Sequence, residues 1–357
     1  MNLKQIGRAA LAFNAACVVA AAVGFSLQTA FAAEVDDPGG IFAQGAKLTR
    51  IVGEPEGFFY EGPAMGHDGM LYFSDLTITP AKGLKAGITW KHDLETGKTT
   101  VYRSPSGMSN GIAFDAQGRM IVVHQGDYGL RYVSRTDMAT GKAEIVAAHY
   151  GGHPFNAPND VIVDSKGRIF FTDPMYDHRS WEQEEQPVRG VYRIDTDGSV
   201  HLVVANVHQP NGLALSPDES ILYVCNYDFG KNGPFLVPDD FKGDMPPVAS
   251  QLFAFDLRPD GTTKFRKILV DLSPQSGCDG IKVDEKGNIY MAAGAVPYLY
   301  VYSSDGQKRL ATITLPGKNA FLLNINFGRG KYDHTLFIAT SEGIYKVETK
   351  NKGAGLQ

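Results

Sequence analysis

Pro158-Asn159-Asp160-Val161-Ile162-Val163-Asp164-Ser165-Lys166-Gly167 is the stretch from which the fold can be predicted. It places polar groups before an alternating apolar run that ends in an Asp-x-x-Gly turn, a pattern typical of a buried strand followed by a hairpin. Related phrases, each with a polar residue before an apolar run, begin at Glu61, Asn110, Asn211, Asp279 and, in degraded form, Asn324. The chain is therefore built from a repeated strand unit.

The spacing of these polar residues predicts the architecture. From Glu61 to Asn324, successive spacings are 49, 49, 52, 68 and 45 residues. A period of about 45–50 residues with room for four strands is typical of a β-propeller. We therefore expect an all-β fold, a six-bladed β-propeller with four-stranded blades. The sixth unit is one strand short, so we expect residues 47–52 to supply its outer strand and close the ring.

Two units are longer than the period requires. The extra length lies in residues 174–189 of the third unit and residues 228–250 of the fourth, in both cases between the second and third strands. In a four-stranded meander this loop emerges on the same face as the polar residues that precede the first strand. We expect both insertions to overhang those residues as a lid or specificity loop.

The N-terminus is typical of an exported protein. Lys4 and Arg8 precede an Ala-rich apolar segment over residues 9–25, and Ala30-Phe31-Ala32 fits a signal cleavage site. A membrane anchor is the alternative, but about 17 apolar residues are short for a span of about 20. The predicted organisation is a signal peptide at 1–32, a loose segment at 33–46, a single propeller domain at 47–350 and a tail at 351–357. The predicted location is periplasmic or secreted.

Charge and cysteine content limit the possible partners. Residues 1–32 carry two basic and no acidic side chains, so their removal changes the formal net charge from −5 to −7. An acidic chain without a basic block argues against nucleic acid, and no membrane association is expected after signal removal. The oligomeric state is left open. Cys225 and Cys278 are expected as buried free thiols, although an oxidising compartment permits a bridge.

The repeated polar residues are expected to meet at one end of the propeller axis. Equivalent positions in a closed rotational repeat lie on a circle, so two carboxylates and four carboxamides converge there. These are the six residues Glu61, Asn110, Asn159, Asn211, Asp279 and Asn324. An all-oxygen set with two negative charges favours Ca²⁺, and Mg²⁺, Mn²⁺ or Zn²⁺ could substitute. Taken singly, each Asn-Gly or Asp-Gly pair could be an ordinary turn.

The sequence also resembles a known family. The matching stretches are Phe155-Asn156-Ala157-Pro158-Asn159-Asp160-Val161, Phe171-Thr172-Asp173-Pro174, residues 209–219, Glu61-Gly62-Pro63 and Asp279-Gly280. They are similar to the gluconolactonase branch of the senescence-marker-protein/gluconolactonase family, across residues 50–347. The resemblance implies a lactone hydrolase with a divalent metal on the axis. It places the metal ligands at Glu61, Asn211 and Asp279, with Asn159 as a fourth ligand or a substrate contact.

One position departs from that family. The senescence-marker-protein branch carries an arginine two residues before the asparagine that matches Asn159, where this chain has Ala157. Any substrate contact made by that arginine is absent here. The sugar lactone that the enzyme opens is therefore not specified by the resemblance.

A mechanism follows as a hypothesis. The metal polarises the lactone carbonyl and water attacks the carbonyl carbon. Asp279 is predicted to orient or deprotonate that water, with Asp160 as the alternative. Asn110 and Asn159 are predicted substrate neighbours. His124, at the end of the second strand of its unit, is predicted either to contact substrate or to be a structural histidine.

Two other functions remain open at this stage. The same oxygen cage could serve a broader ester or organophosphate hydrolase, since it polarises P=O as well as C=O. A non-catalytic propeller could instead bind a ligand and use the metal only for structure, because the fold alone does not determine function. The acidic residues Glu61 and Asp279 favour an enzyme, since a binding propeller has no need of carboxylates at its axis.

Overall fold

The structure is a computed structural model that describes most of the chain after the predicted signal peptide. The described residues are 33–53, 59–76, 87–125, 129–176, 185–228, 249–274, 277–294, 296–316 and 320–355. The predicted signal peptide, half of the first long insertion (residues 177–184) and most of the second (residues 229–248) lie outside this part of the chain.

The described residues form six antiparallel sheets in chain order, which are the six predicted blades. Blade 1 comprises β3 (Tyr60–Met65), β4 (Leu71–Asp75), β5 (Ile88–Asp93) and β6 (Lys98–Arg103). Blade 2 comprises β7 (Ser109–Phe114), β8 (Met120–His124), β9 (Val133–Thr136) and β10 (Ala143–Ala147). A small hairpin of β11 (His149–Tyr150) and β12 (His153–Pro154) follows. Blade 3 comprises β13 (Val161–Val163), β14 (Ile169–Asp173), β15 (Gly190–Ile194) and β16 (Val200–Val204).

The remaining three blades complete the ring. Blade 4 comprises β17 (Pro210–Leu215), β18 (Ile221–Asp228), β19 (Ala249–Leu257) and β20 (Thr263–Asp271). Blade 5 comprises β21 (Ile281–Val283), β22 (Ile289–Ala292), β23 (Tyr298–Tyr302) and β24 (Arg309–Thr314), to which β1 (Glu34–Asp36) is added at the outer edge. Blade 6 comprises β25 (Leu322–Phe327), β26 (Thr335–Thr340) and β27 (Gly343–Glu348), with β2 (Thr49–Gly53) outermost.

The ring is closed in the way the sequence predicts. The innermost strands, β3, β7, β13, β17, β21 and β25, each contact the innermost strands of both neighbouring blades, so they surround one axis. The outer strand of blade 6 comes from the N-terminal side, since β2 pairs antiparallel with β27. This closure gives the sixth blade its fourth strand and covers an edge that would otherwise be open.

The hydrophobic core is divided among the six interfaces between blades. Each cluster of buried apolar side chains joins two neighbouring blades, and together the clusters run around the ring. Between blades 2 and 3, for example, Val123 packs in one cluster with Phe155 and Phe171. The apolar runs of the repeats pack against neighbouring blades, and the polar residues that precede the runs lie near the axis.

The hairpin turns after the innermost strands follow the predicted pattern. Gly118 and Gly167, at the ends of two Asp-x-x-Gly turns, have φ of +75° and +77°. Glycine adopts this left-handed conformation without the steric cost that a side chain would bring. Among the described residues, no helix is long and apolar enough to cross a membrane.

The expectation of a loose segment at residues 33–46 is wrong for much of its length. Glu34–Asp36 forms β1, which pairs with β24 of blade 5. Ile41 and Phe42 are buried in the core between blades 5 and 6. The start of the C-terminal tail is also ordered, because the Ala354 N–H donates to the Val283 carbonyl at 2.9 Å.

The expectation of free thiols is also wrong. Cys225 on β18 and Cys278, which precedes β21, form a disulfide with a Cα–Cα distance of 5.2 Å. The two residues are 53 positions apart in the chain. They meet because the second strand of blade 4 lies beside the start of the innermost strand of blade 5, a proximity that the cysteine spacing alone does not reveal. The disulfide therefore cross-links two neighbouring blades.

Candidate functional site

The repeated polar residues lie where the innermost strands depart from regular pairing. In blades 1, 2, 4 and 6 the register of the innermost strand shifts at this point, between Glu61 and Ala64 in blade 1, for example. In blades 3 and 5 the strand begins only after the polar residue, at Val161 and Ile281. Such irregularities turn a side chain out of the regular pleat. All six polar residues are buried at the axis end of their blades.

Close backbone contacts between blades hold these positions together. The Gly111 N–H donates to the Asn159 carbonyl at 2.9 Å, and the Gly212 N–H donates to the Asp279 carbonyl at 3.1 Å. A Cβ on Gly212 would lie 2.2 Å from the Asp279 carbonyl oxygen, so no larger residue fits there. The glycine of the repeated phrase is thus required for the approach of neighbouring blades at the axis.

Blade 3 departs from this rule, because Asp160 stands where four other blades have glycine. Its Oδ1 accepts the Val161 N–H at 2.9 Å, and its Oδ2 accepts the Leu213 N–H of blade 4 at 3.4 Å. The Lys282 Nζ of blade 5 lies 3.9 Å from the same Oδ2. Asp160 is therefore a buried carboxylate held in place by two blades besides its own.

The two ring carboxylates, Glu61 and Asp279, are buried and electrostatically unfavourable. Burial raises the pKa of Glu61 to about 8, the Asn324 side-chain hydrogen bond opposes this, and the nearby charge of Asp160 adds to it. Burial also raises the pKa of Asp279 well above its usual range, and the charges of Glu61 and Asp160 add to that effect. A hydrogen bond from the Asn211 side chain partly offsets it. A cation between these groups would relieve both the desolvation and the repulsion.

Two carboxamides are oriented so that their oxygens remain available. The Asn211 Nδ2 donates to the Tyr176 hydroxyl at 3.2 Å, and the Asn110 Nδ2 donates to the Gln125 Oε1 at 3.2 Å. Both Oδ1 atoms are buried, and neither has a hydrogen-bond partner among the described residues. A buried acceptor without a partner is costly, so both oxygens are candidate ligands for a cation.

The other predicted site residues are placed as follows. Asn159 is buried, and its backbone N–H donates to the Thr172 carbonyl at 2.9 Å. Asn324, the degraded sixth copy, is a full member of the ring: its Oδ1 accepts the Ile325 N–H at 2.8 Å and its side chain hydrogen-bonds to Glu61. Glu61, Asp160, Asn211, Asp279 and Asn324 thus form one connected cluster.

His124 lies at the end of β8, as predicted, and its ring contacts two residues at the neighbouring strand β9. Its Nε2 lies 2.9 Å from the Ser134 Oγ, and the ring packs against Tyr132 with centroids 4.4 Å apart. Burial lowers its pKa to about 4, so the imidazole is neutral at pH 7. These contacts agree with the structural alternative, and its contact with substrate stays a prediction.

Sequence reasoning missed three residues that contact the site: Gln125, Tyr176 and Lys282. Gln125 and Tyr176 follow the second strands of their blades, in loops that have no common motif. Tyr176 falls within residues 174–189, which were predicted to form a lid or specificity loop without any one residue being singled out. Lys282 sits in an apolar run, where a lone lysine gives no sign that it points to the axis. A search for polar residues just after second strands would have found the first two.

The donor set fits a hard cation. No cluster of three or more Asp, Glu, His and Cys side chains with metal-binding proximity occurs in the part of the chain that the structure describes. The ring instead offers the carboxylates of Glu61 and Asp279 with the free amide oxygens of Asn110 and Asn211. Oxygen donors of this kind suit Ca²⁺ or Mg²⁺ better than a soft metal.

Fold and site together define a six-bladed β-propeller with a buried, oxygen-rich site at one end of its axis. The chain belongs to the SMP-30/gluconolactonase/LRE-like family, whose model matches residues 59–342. The resemblance noted from the sequence is thereby confirmed.

Individual relatives agree with this assignment. The chain is 31% identical over 303 residues to a gluconolactonase of Zymomonas mobilis, an alignment that covers 82% of this chain and 79% of that protein. It is similar to the solved structure of a gluconolactonase from Xanthomonas campestris, with a TM-score of 0.69, 28% identity and coverage of 91% and 98% of the two chains. A calcium-binding regucalcin from Agrobacterium tumefaciens shares the fold, with a TM-score of 0.64, 17% identity and coverage of 88% and 95%.

Proposed function

We propose that this protein hydrolyses lactones, as a gluconolactonase-like enzyme, with a divalent cation held at the axis. The observation that carries the proposal is the juxtaposition of Glu61 and Asp279, two buried carboxylates of raised pKa, with the unpartnered oxygen of Asn211. The two relatives named as gluconolactonases support a lactone as the substrate. The oxygen-only donors favour Ca²⁺ as the cation.

The residues that would hold the cation are Glu61, Asn211 and Asp279, with Asn159 as a fourth ligand or a substrate contact. When bound, the cation supplies Lewis-acid polarisation of the lactone carbonyl. Because the site is buried and water is largely excluded from its walls, the fixed dipoles of the ring act on the substrate with little screening.

The chain's own residues would handle the water and its proton. The water oxygen bonds to the carbonyl carbon, its proton passes to a carboxylate, and the ring C–O bond breaks as the ring oxygen takes up a proton, which yields a hydroxy acid. Asp279 is the better placed carboxylate, since the backbone N–H groups of Val161 and Leu213 already occupy both oxygens of Asp160. Asn110 and Asn159 are the proposed substrate contacts, with His124 as a further candidate.

The compartment is part of the proposal. The N-terminal stretch has the pattern of a signal peptide, and the Cys225–Cys278 disulfide agrees with an oxidising environment. We infer that the enzyme acts outside the cytoplasm, in the periplasm or as a secreted protein.

A pH-stat assay on glucono-1,5-lactone tests the function directly. We expect acid release above the spontaneous rate, loss of that activity in excess EDTA, and recovery when Ca²⁺ is added back. The activity recovered when Mg²⁺, Mn²⁺ or Zn²⁺ is added in place of Ca²⁺ would rank these cations by their ability to support hydrolysis. Hydrolysis that EDTA leaves unchanged, or no hydrolysis across a panel of lactones, would contradict the proposal and favour a ligand-binding propeller.

A further inference from the structure

The orientation of the Asn211 carboxamide has to be set by its neighbours. Rotation of the amide by half a turn exchanges the oxygen and the nitrogen, and the two orientations have nearly the same shape. Only one of them presents an acceptor to the axis. A buried ligand of this kind is commonly fixed by a hydrogen bond to its other end.

The Tyr176 hydroxyl is placed to determine the orientation of the Asn211 carboxamide. Its own proton is directed to the Tyr227 backbone carbonyl, with 3.0 Å between the two oxygens. Because the hydroxyl has only one proton, it can offer Asn211 only an acceptor lone pair. The contact of 3.2 Å to Asn211 therefore requires the amide nitrogen, and not the oxygen, on this side.

The Asn211 side chain also acts as a hydrogen-bond donor toward Asp279, which lowers the pKa of that carboxyl. The Asn211 Oδ1 is buried and without a partner among the described residues. A reversed amide would set its oxygen against the lone pair of Tyr176 and the carboxylate of Asp279. The reversed orientation is thus disfavoured at two contacts at once.

Tyr176 is itself held firmly against blade 4. The Gln209 side chain forms two hydrogen bonds with the backbone of Met175, the residue before Tyr176. Its Oε1 accepts the Met175 N–H at 3.0 Å, and its Nε2 donates to the Met175 carbonyl at 2.8 Å. Gln209 is fully buried. Tyr176 also packs edge-on against the Tyr227 ring, with centroids 6.4 Å apart. The loop from blade 3 therefore presents the hydroxyl to Asn211 in a fixed position.

Gln125, which hydrogen-bonds to Asn110, does not fix the orientation of the Asn110 carboxamide in the same way. Gln125 contacts Asn110 through an amide oxygen, and that amide could itself rotate and offer its nitrogen instead. A tyrosine hydroxyl that donates to a fixed carbonyl has no such alternative. The orientation of the side-chain amide is therefore more strongly constrained at Asn211 than at Asn110.

We propose that Tyr176 is a positioning residue, which orients the Asn211 carboxamide so that its Oδ1 faces the axis as a cation ligand. This inference rests on the proposed cation site. It adds a residue of blade 3 to the support of a ligand on blade 4, so the two blades build the site jointly.

Calorimetric titration of Ca²⁺ into the metal-free variant Tyr176→Phe tests the inference. We expect binding of one ion with affinity about tenfold weaker than wild type, the lower end of the usual effect of removing a partner that orients a metal ligand. Tyr192→Phe is the matched control, since Tyr192 belongs to the same blade and is fully buried, and its hydroxyl has no hydrogen-bond partner among the described residues. We expect wild-type affinity for that variant.

The melting temperature separates positioning from general damage. In EDTA the Tyr176→Phe variant should melt a few degrees below the Tyr192→Phe variant, because it loses the hydrogen bond to the Tyr227 carbonyl, and the further rise on addition of Ca²⁺ should be smaller than in the wild type or Tyr192→Phe. Wild-type affinity in Tyr176→Phe, or an equal loss in both variants, would overturn the inference. No binding by the wild-type protein would instead remove the proposed cation site itself, so the two failures are distinguishable.

A second pair of variants tests the orientation argument itself. A carboxylate has two equivalent oxygens, so in an Asn211→Asp background the orientation of the group no longer matters. We expect Tyr176→Phe to weaken Ca²⁺ binding much less in that background than in the wild type. An undiminished loss would show that Tyr176 acts by some route other than the Asn211 amide, and would overturn the inference.

Discussion

Two buried carboxylates at opposite ends of innermost strands are in opposite situations: Asp164 lies at the hairpin end in blade 3, and Asp279 lies at the axis end in blade 5. At the hairpin end, Asp164 accepts the backbone N–H groups of Lys166 and Arg168 with one oxygen. Its other oxygen lies 2.6 Å from the Arg168 Nε. At the axis end, Asp279 takes a hydrogen bond from Asn211 and faces the charges of Glu61 and Asp160. The hairpin supplies hydrogen bonds and an ion pair to the Asp164 carboxylate, whereas the protein does not compensate the buried charge of Asp279.

This difference shows that burial alone does not mark a functional acid. Asp164 and Asp284 are both completely buried and repeat at the same place in their blades, yet the protein supplies their hydrogen bonds, mostly from their own hairpins and, for Asp284, also from Asn351. Asp279 is almost equally buried, and its pKa is raised well above the usual range. A carboxylate that the fold buries without compensating it is the one that a cation can stabilise.

Asparagine substitutions at the two ends should separate function from stability, and the largest effect is expected at the axis. Asp279→Asn keeps the side-chain shape but removes the negative charge of a proposed cation ligand, which is also the proposed proton acceptor. We expect kcat/KM for lactone hydrolysis to fall by about 1,000-fold, since several kcal/mol of transition-state stabilisation depend on the bound cation. A pH-stat assay measures this. Near-normal activity would contradict the assignment of Asp279.

The same substitution at the hairpin end should act on stability. In Asp164→Asn the new amide group would face the Arg168 guanidinium with a donor against a donor. We expect the free energy of unfolding to fall by about 2 kcal/mol, the usual cost of losing a buried hydrogen bond to a charged group. Urea unfolding measures it, and activity per folded molecule should stay at the wild-type level. A loss of activity without a loss of stability would contradict the purely structural role of Asp164.

A smaller effect is expected in the pH dependence of the metal-free protein. The pKa of Glu61 is raised in the folded state from 4.5 to about 8. The folded protein therefore binds more protons than the unfolded chain between these values, and stability should fall as pH rises through this window. In EDTA the melting temperature should drop by a few degrees between pH 5 and pH 8, and added Ca²⁺ should abolish much of the drop. A melting temperature in EDTA that rises with pH would contradict the account.

The sequence was sufficient for the fold and for the ring. The period identified six blades, and the apolar alternation placed their innermost strands, because both depend on local patterns repeated along the chain. The closing strand before Glu61 was also predictable, since the sixth unit lacked a strand. Asn324 was identified only weakly, because the glycine that follows the ring residue in blades 1, 2, 4 and 5 is replaced there by Ile325.

Most of the features that sequence reasoning missed depend on contacts between blades. The Cys225–Cys278 disulfide joins residues 53 positions apart, and only the packing of blade 4 on blade 5 brings them together. Tyr176 reaches Asn211 across the interface of blades 3 and 4 from a loop without a repeat pattern. Such residues are fixed by tertiary geometry, so a one-dimensional period cannot identify them.

The central claim is that the axis, and not the acidic hairpins, holds a divalent cation. Anomalous diffraction from a crystal grown with Mn²⁺ as a probe tests it most directly. We predict one strong peak on the axis, about 2.2 Å from oxygens of Glu61, Asn211 and Asp279. A map without a peak there, or with its strongest peak at Asp164 or Asp284, would contradict the account.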